Sequence, residues 1–114
     1  MNSLNIKIGG KTQEYLIDSG ASFLTISKSN YEFLKEIGVI RQSDIKEKIT
    51  VKIADGSLKT YQSIIIPSID ISGFKVQNIK TLVTEGDNLL GQSVLGQFSN
   101  WRIDNSKNQL IIEK

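Results

Sequence analysis

The strongest constraint on the fold is a succession of short apolar runs of period two, each ended by a turn signal. Leu4, Ile6 and Ile8 alternate with polar residues, as a half-buried strand does. Gly9-Gly10-Lys11 then supplies turn chemistry, and Thr12 to Ile17 returns as the second arm of a hairpin. Phe23-Leu24-Thr25-Ile26 reads as a short buried strand. The pattern resumes at Lys48, where Ile49, Val51 and Ile53 alternate up to the turn Ala54-Asp55-Gly56-Ser57 and Leu58 to Ile66 leads away from it. Pro67 is expected to close that strand or to sit on an edge. Ile69-Asp70-Ile71 and Phe74 to Ile79 bracket Ser72-Gly73 as another hairpin, and Lys80 to Thr84 is a further strand before the loop Glu85-Gly86-Asp87. Trp101 to Asp104 and Gln109 to Glu113 close the chain around the turn Asn105-Ser106-Lys107-Asn108. One helix is clearly signalled, from Asn30 to Ile37. Ser29 is its cap, Glu32 lies three residues on, Phe33, Leu34 and Ile37 share a face, and Gly38 ends it. Arg41 to Glu47 reads as loop, and Gln92 to Phe98 as a short helical piece. Many short strands at even spacing predict an all-β barrel or sandwich with one or two short helices. No linker or repeat interrupts the 114 residues, so 1–114 is expected to form one domain.

Composition removes several kinds of chemistry. Without cysteine there are no disulfides, thiol nucleophiles or thiolate metal sites. Without histidine, Ser-His-Asp and Cys-His catalysis and most zinc and iron sites are excluded, so no metal and no cofactor is expected. Carboxylates, Lys, Tyr and backbone groups remain for acid–base work. A Ser/Lys hydrolase finds no supporting spacing. The net charge of +2 comes from lysines scattered among acids, with no basic stripe interleaved with aromatics, so no nucleic-acid partner is expected. No run approaches the ~18 apolar residues of a membrane span, and the start lacks the blocks of a signal peptide. A soluble, cytoplasmic protein without membrane contact in this segment is expected, or the soluble domain of a longer anchored one.

Among the acids, one is placed unlike the rest. The apolar run Tyr15-Leu16-Ile17 leads into Asp18-Ser19-Gly20-Ala21, an Asp-(Ser/Thr)-Gly-(Ala/Ser) signature of the form in which aspartic proteases present a catalytic carboxylate at a strand end. Late in the chain, Asn88-Leu89-Leu90-Gly91-Gln92 repeats a hydrophobic-hydrophobic-Gly element, and Asp55-Gly56 lies in the central hairpin. With the ending Leu95, Phe98, Trp101, Ile103-Asp104 and Leu110-Ile111-Ile112, the chain resembles the retropepsin-like aspartic proteases over roughly Ile6 to Ile112, most closely the single-domain bacterial members, with the retrotransposon proteases sharing much of the layout.

That resemblance implies a retropepsin-like closed β-barrel acting as a homodimer. Only one copy of the signature is present, and the reaction needs two carboxyls: one to activate a water, the other, protonated, to donate to the peptide carbonyl. Two such groups about 3 Å apart cannot both ionise and therefore share a proton. A two-fold axis would bring Asp18 and its copy together. Ser19, Gly20 and Ala21 would support the turn, Gly20 by close backbone approach and Ser19 by reaching across to the partner. Ala54, Asp55, Gly56 and Ser57 would form the flap, and Leu89, Leu90 and Gly91 a structural brace. The implied substrate is a peptide or polyprotein bound in extended form, with Ile53, Leu58 and Ile26 lining its pockets. The alternative is a non-catalytic barrel of the same shape serving dimerisation or interaction. Asp70, Asp87 and Asp104 are expected as local caps or solvated groups, Asp104 pairing with Arg102 or another basic residue. Phe98 and Trp101 are expected in the core.

Overall fold

Glycine sets the first turn. Gly9 and Gly10 both adopt left-handed φ, +59° and +82°, a mirror-image turn that matches the twist of the strands it joins. The computed structural model describes residues 3–71, 73–86, 88–98, 100–104 and 109–113, and of residues 100, 101, 103, 104, 109, 110, 112 and 113 it describes the backbone alone. In it, β1 (Ser3–Ile8) pairs antiparallel with β2 (Lys11–Ile17), from Ser3↔Leu16 to Ile8↔Lys11. The alternation expected from the sequence holds: Ile6, Ile8, Tyr15 and Ile17 are buried.

Next come β3 (Leu24–Ser27), α1 (Lys28–Glu36), a single 3-10 turn (Gln42–Asp44), β4 (Ile45–Lys52), β5 (Leu58–Ile71), β6 (Phe74–Thr84), β7 (Leu89–Leu90), α2 (Gln92–Leu95), β8 (Asn100–Asp104) and β9 (Gln109–Glu113). The first seven strands form one sheet in the order β1-β2-β7-β3-β6-β5-β4, and β8 pairs separately with β9. A lone pairing, Lys7↔Asp70, also brings β1 against β5. The fold is thus mostly β with two short helices, as the sequence predicts. Its core gathers Ile6, Leu24, Ile26, Leu34, Ile64, Ile66, Ile79, Leu90, Val94 and Leu95 in one cluster. Phe98 joins it, edge-on to Phe74 at 6.3 Å between ring centres. The Trp101 and Asp104 side chains, Ser72, Asp87 and the turn 105–108 lie outside the described residues. Asp70 is a local cap as expected, its carboxylate accepting from the Gly73 amide at 2.9 Å.

Three boundaries differ from the sequence expectation. Helix α1 begins two residues early because Ser27, extended at φ −68° and ψ 157°, is both the last residue of β3 and the cap, its hydroxyl accepting from the Asn30 amide at 3.2 Å. Ser29 lies inside the first turn instead. The expected loop Arg41 to Glu47 contains the 3-10 turn and the start of β4, where the ladder shifts between Ile45 and Lys48. At that shift the Gln62 amide and the Ser63 hydroxyl donate to the Lys46 and Glu47 carbonyls. Finally, what read as four strands between Leu58 and Thr84 is one long hairpin, β5 with β6. Burial switches phase in both arms, from Ile64 and Ile66 to Ile69 and Ile71, and from Val76 to Ile79. The switch falls where Pro67 comes opposite Asn78, which takes φ +56°, between the pairs Ile66↔Ile79 and Ser68↔Gln77. Proline donates no hydrogen bond, so it is accommodated within the strand rather than ending it.

Tyr15 ties β2 to the helix: 1% exposed, it accepts at its hydroxyl from the Asn30 side-chain amide at 3.2 Å. Burial pushes its pKa up from 10.0 to about 12, against the smaller opposing effect of Asn30. The neutral phenol is favoured in the fold, so this contribution is intact below pH 10.0 and is lost as pH rises toward about 12. Chemical denaturation across that window is expected to record a loss on the order of 2–3 kcal/mol, which the Tyr15→Phe protein does not show.

Candidate active site

A strand of two residues places Asp18. Leu89 and Leu90 of β7 lie parallel to the end of β2, in the pairs Leu16↔Leu89 and Ile17↔Leu90. The Leu16 amide donates to the Asn88 carbonyl at 2.9 Å, and the Asp18 amide to the Leu90 carbonyl at 3.0 Å. On its other side β7 meets β3 antiparallel at Thr25↔Leu89, and the Thr25 hydroxyl accepts from the Leu89 amide at 2.9 Å. Asp18 therefore leaves a strand whose last residues are held by β7, which β3 holds in turn.

The turn that follows is closed on itself. The Ala21 amide donates to the Asp18 carbonyl at 3.1 Å, and the Gly20 amide to Asp18 Oδ1 at 3.0 Å, which orients the carboxylate. The segment after β7 then holds the turn from behind. The Gln92 and Ser93 amides donate to the Ala21 and Ser22 carbonyls at 2.8 and 2.9 Å, Gln92 Nε2 donates to the Ser19 carbonyl at 2.9 Å, and the Ser93 hydroxyl accepts from the Leu24 amide at 2.8 Å. Gly91 makes this possible: a Cβ there would lie 2.4 Å from the Phe23 carbonyl oxygen and 2.7 Å from that of Ala21. Gly20 differs. A Cβ on it would meet only Asp18 Oδ1, at an ordinary 3.4 Å. Within one chain the close backbone approach expected at Gly20 belongs to Gly91. Leu89, Leu90 and Gly91 come against the Asp18 turn with Asn88 and Gln92 of the same element, and Ser93 and Thr25, to which the sequence reading gives no role at the site, complete the hydrogen bonding. For Ser93 and Thr25 the sequence signal is polarity beside a strand too short to hold itself.

Beside Asp18 opens a cleft of about 590 Å3. Asp18, Gly20, Ala21, Leu82 and Leu89 line it, and the β4–β5 hairpin contributes Val51, Ile53, Ala54 and Tyr61. Of the expected pocket residues Ile53 lines it. Ile26 is wholly buried in the core, and Leu58 borders a neighbouring cleft rather than this one. At the hairpin tip the Gly56 amide donates to the Ile53 carbonyl and the Ile53 amide to that of Ser57, both at 2.9 Å, with Gly56 at φ +87°. Asp55 Oδ1 accepts from the Ser57 hydroxyl at 2.6 Å and from its amide at 2.8 Å. These bonds, the hydroxyl's first, hold the Asp55 carboxyl below the usual carboxylate range. The turn thus keeps them above the ordinary carboxylate pKa and loses them only as pH falls through the lowered value. Among the described residues no group of three or more acids is placed to hold a metal. No helix among them is long and apolar enough to cross a membrane.

An Asp-Ser-Gly turn braced by a late Leu-Leu-Gly, beside a hairpin-walled cleft, has relatives. The profile of the family described as gag-polyprotein putative aspartyl protease matches residues 4–97, most of the chain. The chain belongs to that family. Among solved structures it is similar to a retropepsin-like aspartic protease from Rickettsia conorii, with a TM-score of 0.69 and 28% identity over 96% of this chain and 87% of that one. No curated protein matches it. The fold of this family member is retropepsin-like.

The two glycines of the turn separate structural from intermolecular demands. Gly91→Ala is expected to lower stability to denaturant by roughly 1–3 kcal/mol or more, because two backbone carbonyls must move. Gly20→Ala is expected to stay within about 1 kcal/mol of wild type in the same titration at a concentration where the chain is monomeric, since within one chain its new methyl meets no backbone.

Proposed function

We propose that the protein is an aspartic endopeptidase that works as a homodimer, with Asp18 of each copy as the catalytic carboxylate and residues 1–114 as one protease domain. The observation that supports this best is the Asp18 carboxylate, oriented by the Gly20 amide at 3.0 Å and bordering a cleft walled by a hairpin, in a chain of the aspartyl protease family. We further take the Lys7↔Asp70 pairing as closing the sheet into a barrel.

In this reading the two Asp18 turns meet on a two-fold axis and the carboxyl pair holds one proton. The ionised member takes a proton from a water as the water oxygen attacks the scissile carbonyl carbon. The protonated member gives its proton to the carbonyl oxygen. The resulting tetrahedral diol collapses as the C–N bond breaks and a proton passes to the leaving amine. An extended polypeptide lies across the paired clefts, hydrogen-bonded as an added strand. The two β4–β5 hairpins fold over it and exclude water, Ala54 to Ser57 serving as the flap. Activity is favoured at mildly acidic pH, where the pair holds a single proton. The lowered Asp55 pKa leaves the flap turn its Ser57 hydrogen bonds under those conditions.

Asp18→Asn is expected to reduce cleavage of a proteome-derived peptide library by roughly a thousandfold or more, with folding and dimer formation intact. Mixing it with wild-type protein should produce inactive mixed dimers and a more than proportional loss of rate. Full activity in Asp18→Asn would remove Asp18 from the mechanism. A dimeric wild-type protein that cleaves nothing would favour the non-catalytic interaction module.

A further inference from the structure

A second cleft, of about 920 Å3, adjoins the one beside Asp18, and the two share Tyr61, Thr84 and Gly86. A polypeptide lying over Asp18 can therefore run on into it. Its electrostatic character is different. Lys28 from the start of α1, Lys48 from β4 and Lys59 from β5 line it, against a single carboxylate, Glu85. All three lysines are exposed, and the ion pair of Lys35 with Glu32 involves none of them. Leu58, 69% exposed, adds an apolar surface to the same groove. Three separate elements thus bring lysines to the lining of one groove, Lys48 and Lys59 reaching its border from the two faces of the β4–β5 hairpin, in a protein whose overall charge is only +2. Such a local excess of one sign attracts and orients a partner of the other.

We propose that this groove extends the substrate site and selects polypeptides that carry a cluster of acidic side chains to one side of the segment held over Asp18. Naming the occupant as substrate rests on the protease reading, whereas the charge preference itself does not. Extended backbone suits the geometry, since alternate side chains of an added strand turn toward the groove while the main chain continues along the sheet. Ammonium groups on flexible stems tolerate Asp or Glu at several positions, so selection is by charge rather than by one fixed contact.

The test uses three labelled peptides with one apolar core, flanked on one side by Glu, Gln or Lys residues, and the same set with the flank reversed. Binding is read by fluorescence anisotropy on Asp18→Asn protein, and hydrolysis by mass spectrometry on wild type. One orientation of the Glu peptide is expected to bind roughly tenfold more tightly than its Gln counterpart, as three exposed charge contacts of ordinary strength combine. The Glu/Gln ratio should fall toward one at high salt and in Lys28→Gln/Lys48→Gln/Lys59→Gln, and invert in Lys48→Glu/Lys59→Glu. Equal binding of the three peptides, or none, overturns the proposal, as does a preference that survives loss of the lysines. A lysine-dependent preference without hydrolysis by wild type supports the groove and instead overturns the protease reading.

Discussion

The candidate site depends on β7, two residues wedged between the ends of β2 and β3. A strand so short satisfies few of its neighbours' backbone groups, yet the end of β2 must be held if the Asp18 carboxylate is to have one orientation. The chain meets that demand with flanking groups. The Asn88 carbonyl and the Gln92 and Ser93 amides continue the hydrogen bonding past both ends of the strand, and the Thr25 hydroxyl takes up the Leu89 amide. The Asn88 side chain reaches further, accepting the Ser27 amide at 3.0 Å beside the start of α1. Leu90, Val94 and Leu95, all fully buried, anchor the same segment in the core. Apolar burial thus fixes a late segment, and its polar flanks fix the turn.

The wall of the cleft is built on an opposite plan. Strand β4 contributes no buried residue, and the first residues of β5 are exposed as well. The hairpin is secured at its base, where the Gln62 and Ser63 side chains bond the bulged backbone of β4, and near its middle by the Thr50 and Thr60 hydroxyls, 2.8 Å apart. Its tip is held only by its own turn. An arm with little buried apolar surface belongs to the low-stability end of a fold, where movement costs least. A rigid floor under Asp18 and a lightly anchored wall beside it suit the proposed closing of the β4–β5 hairpin over an extended chain.

Much of this was legible in the residues because their local chemistry decides it. Gly9-Gly10 and Asp55-Gly56 require the turns they form, and the alternation of Leu4, Ile6 and Ile8 requires the face they bury. Legibility failed where tertiary context overrode a local rule. Two serines flank the start of α1, and the choice between Ser27 and Ser29 as cap is settled by where β3 ends. Pro67 normally ends a strand, but here the irregularity is matched by left-handed Asn78 across the ladder, so the hairpin continues and both arms change phase together. Apolar side chains near the site were also ambiguous. Ile26 and Ile53 look alike in sequence, and only the strand order puts one in the core and the other on the cleft. Asp18 itself was recognisable from its four-residue setting and the late Leu89-Leu90-Gly91 as its brace, while the Ser93 and Thr25 hydroxyls that complete the bonding carry no pattern of their own.

The contrast between Gly20 and Gly91 bears on what is missing from a single chain. At Gly91 the reason for glycine lies entirely inside the protomer, where two carbonyl oxygens occupy the space a side chain would need. At Gly20 no such reason exists: its φ is not left-handed, and the space beyond its Cα is bounded only by Asp18 Oδ1. Ser19 and Gly20 are both exposed, and Asp18 is only half buried. Glycine in an unstrained, unobstructed position costs backbone entropy for no return within the chain. That cost is explained if the turn faces another backbone, and a second copy of the same turn is the neighbour that would also supply the second carboxyl of the proposed chemistry. The proposed dimer therefore draws support from a residue whose side chain is absent, independently of any count of catalytic groups.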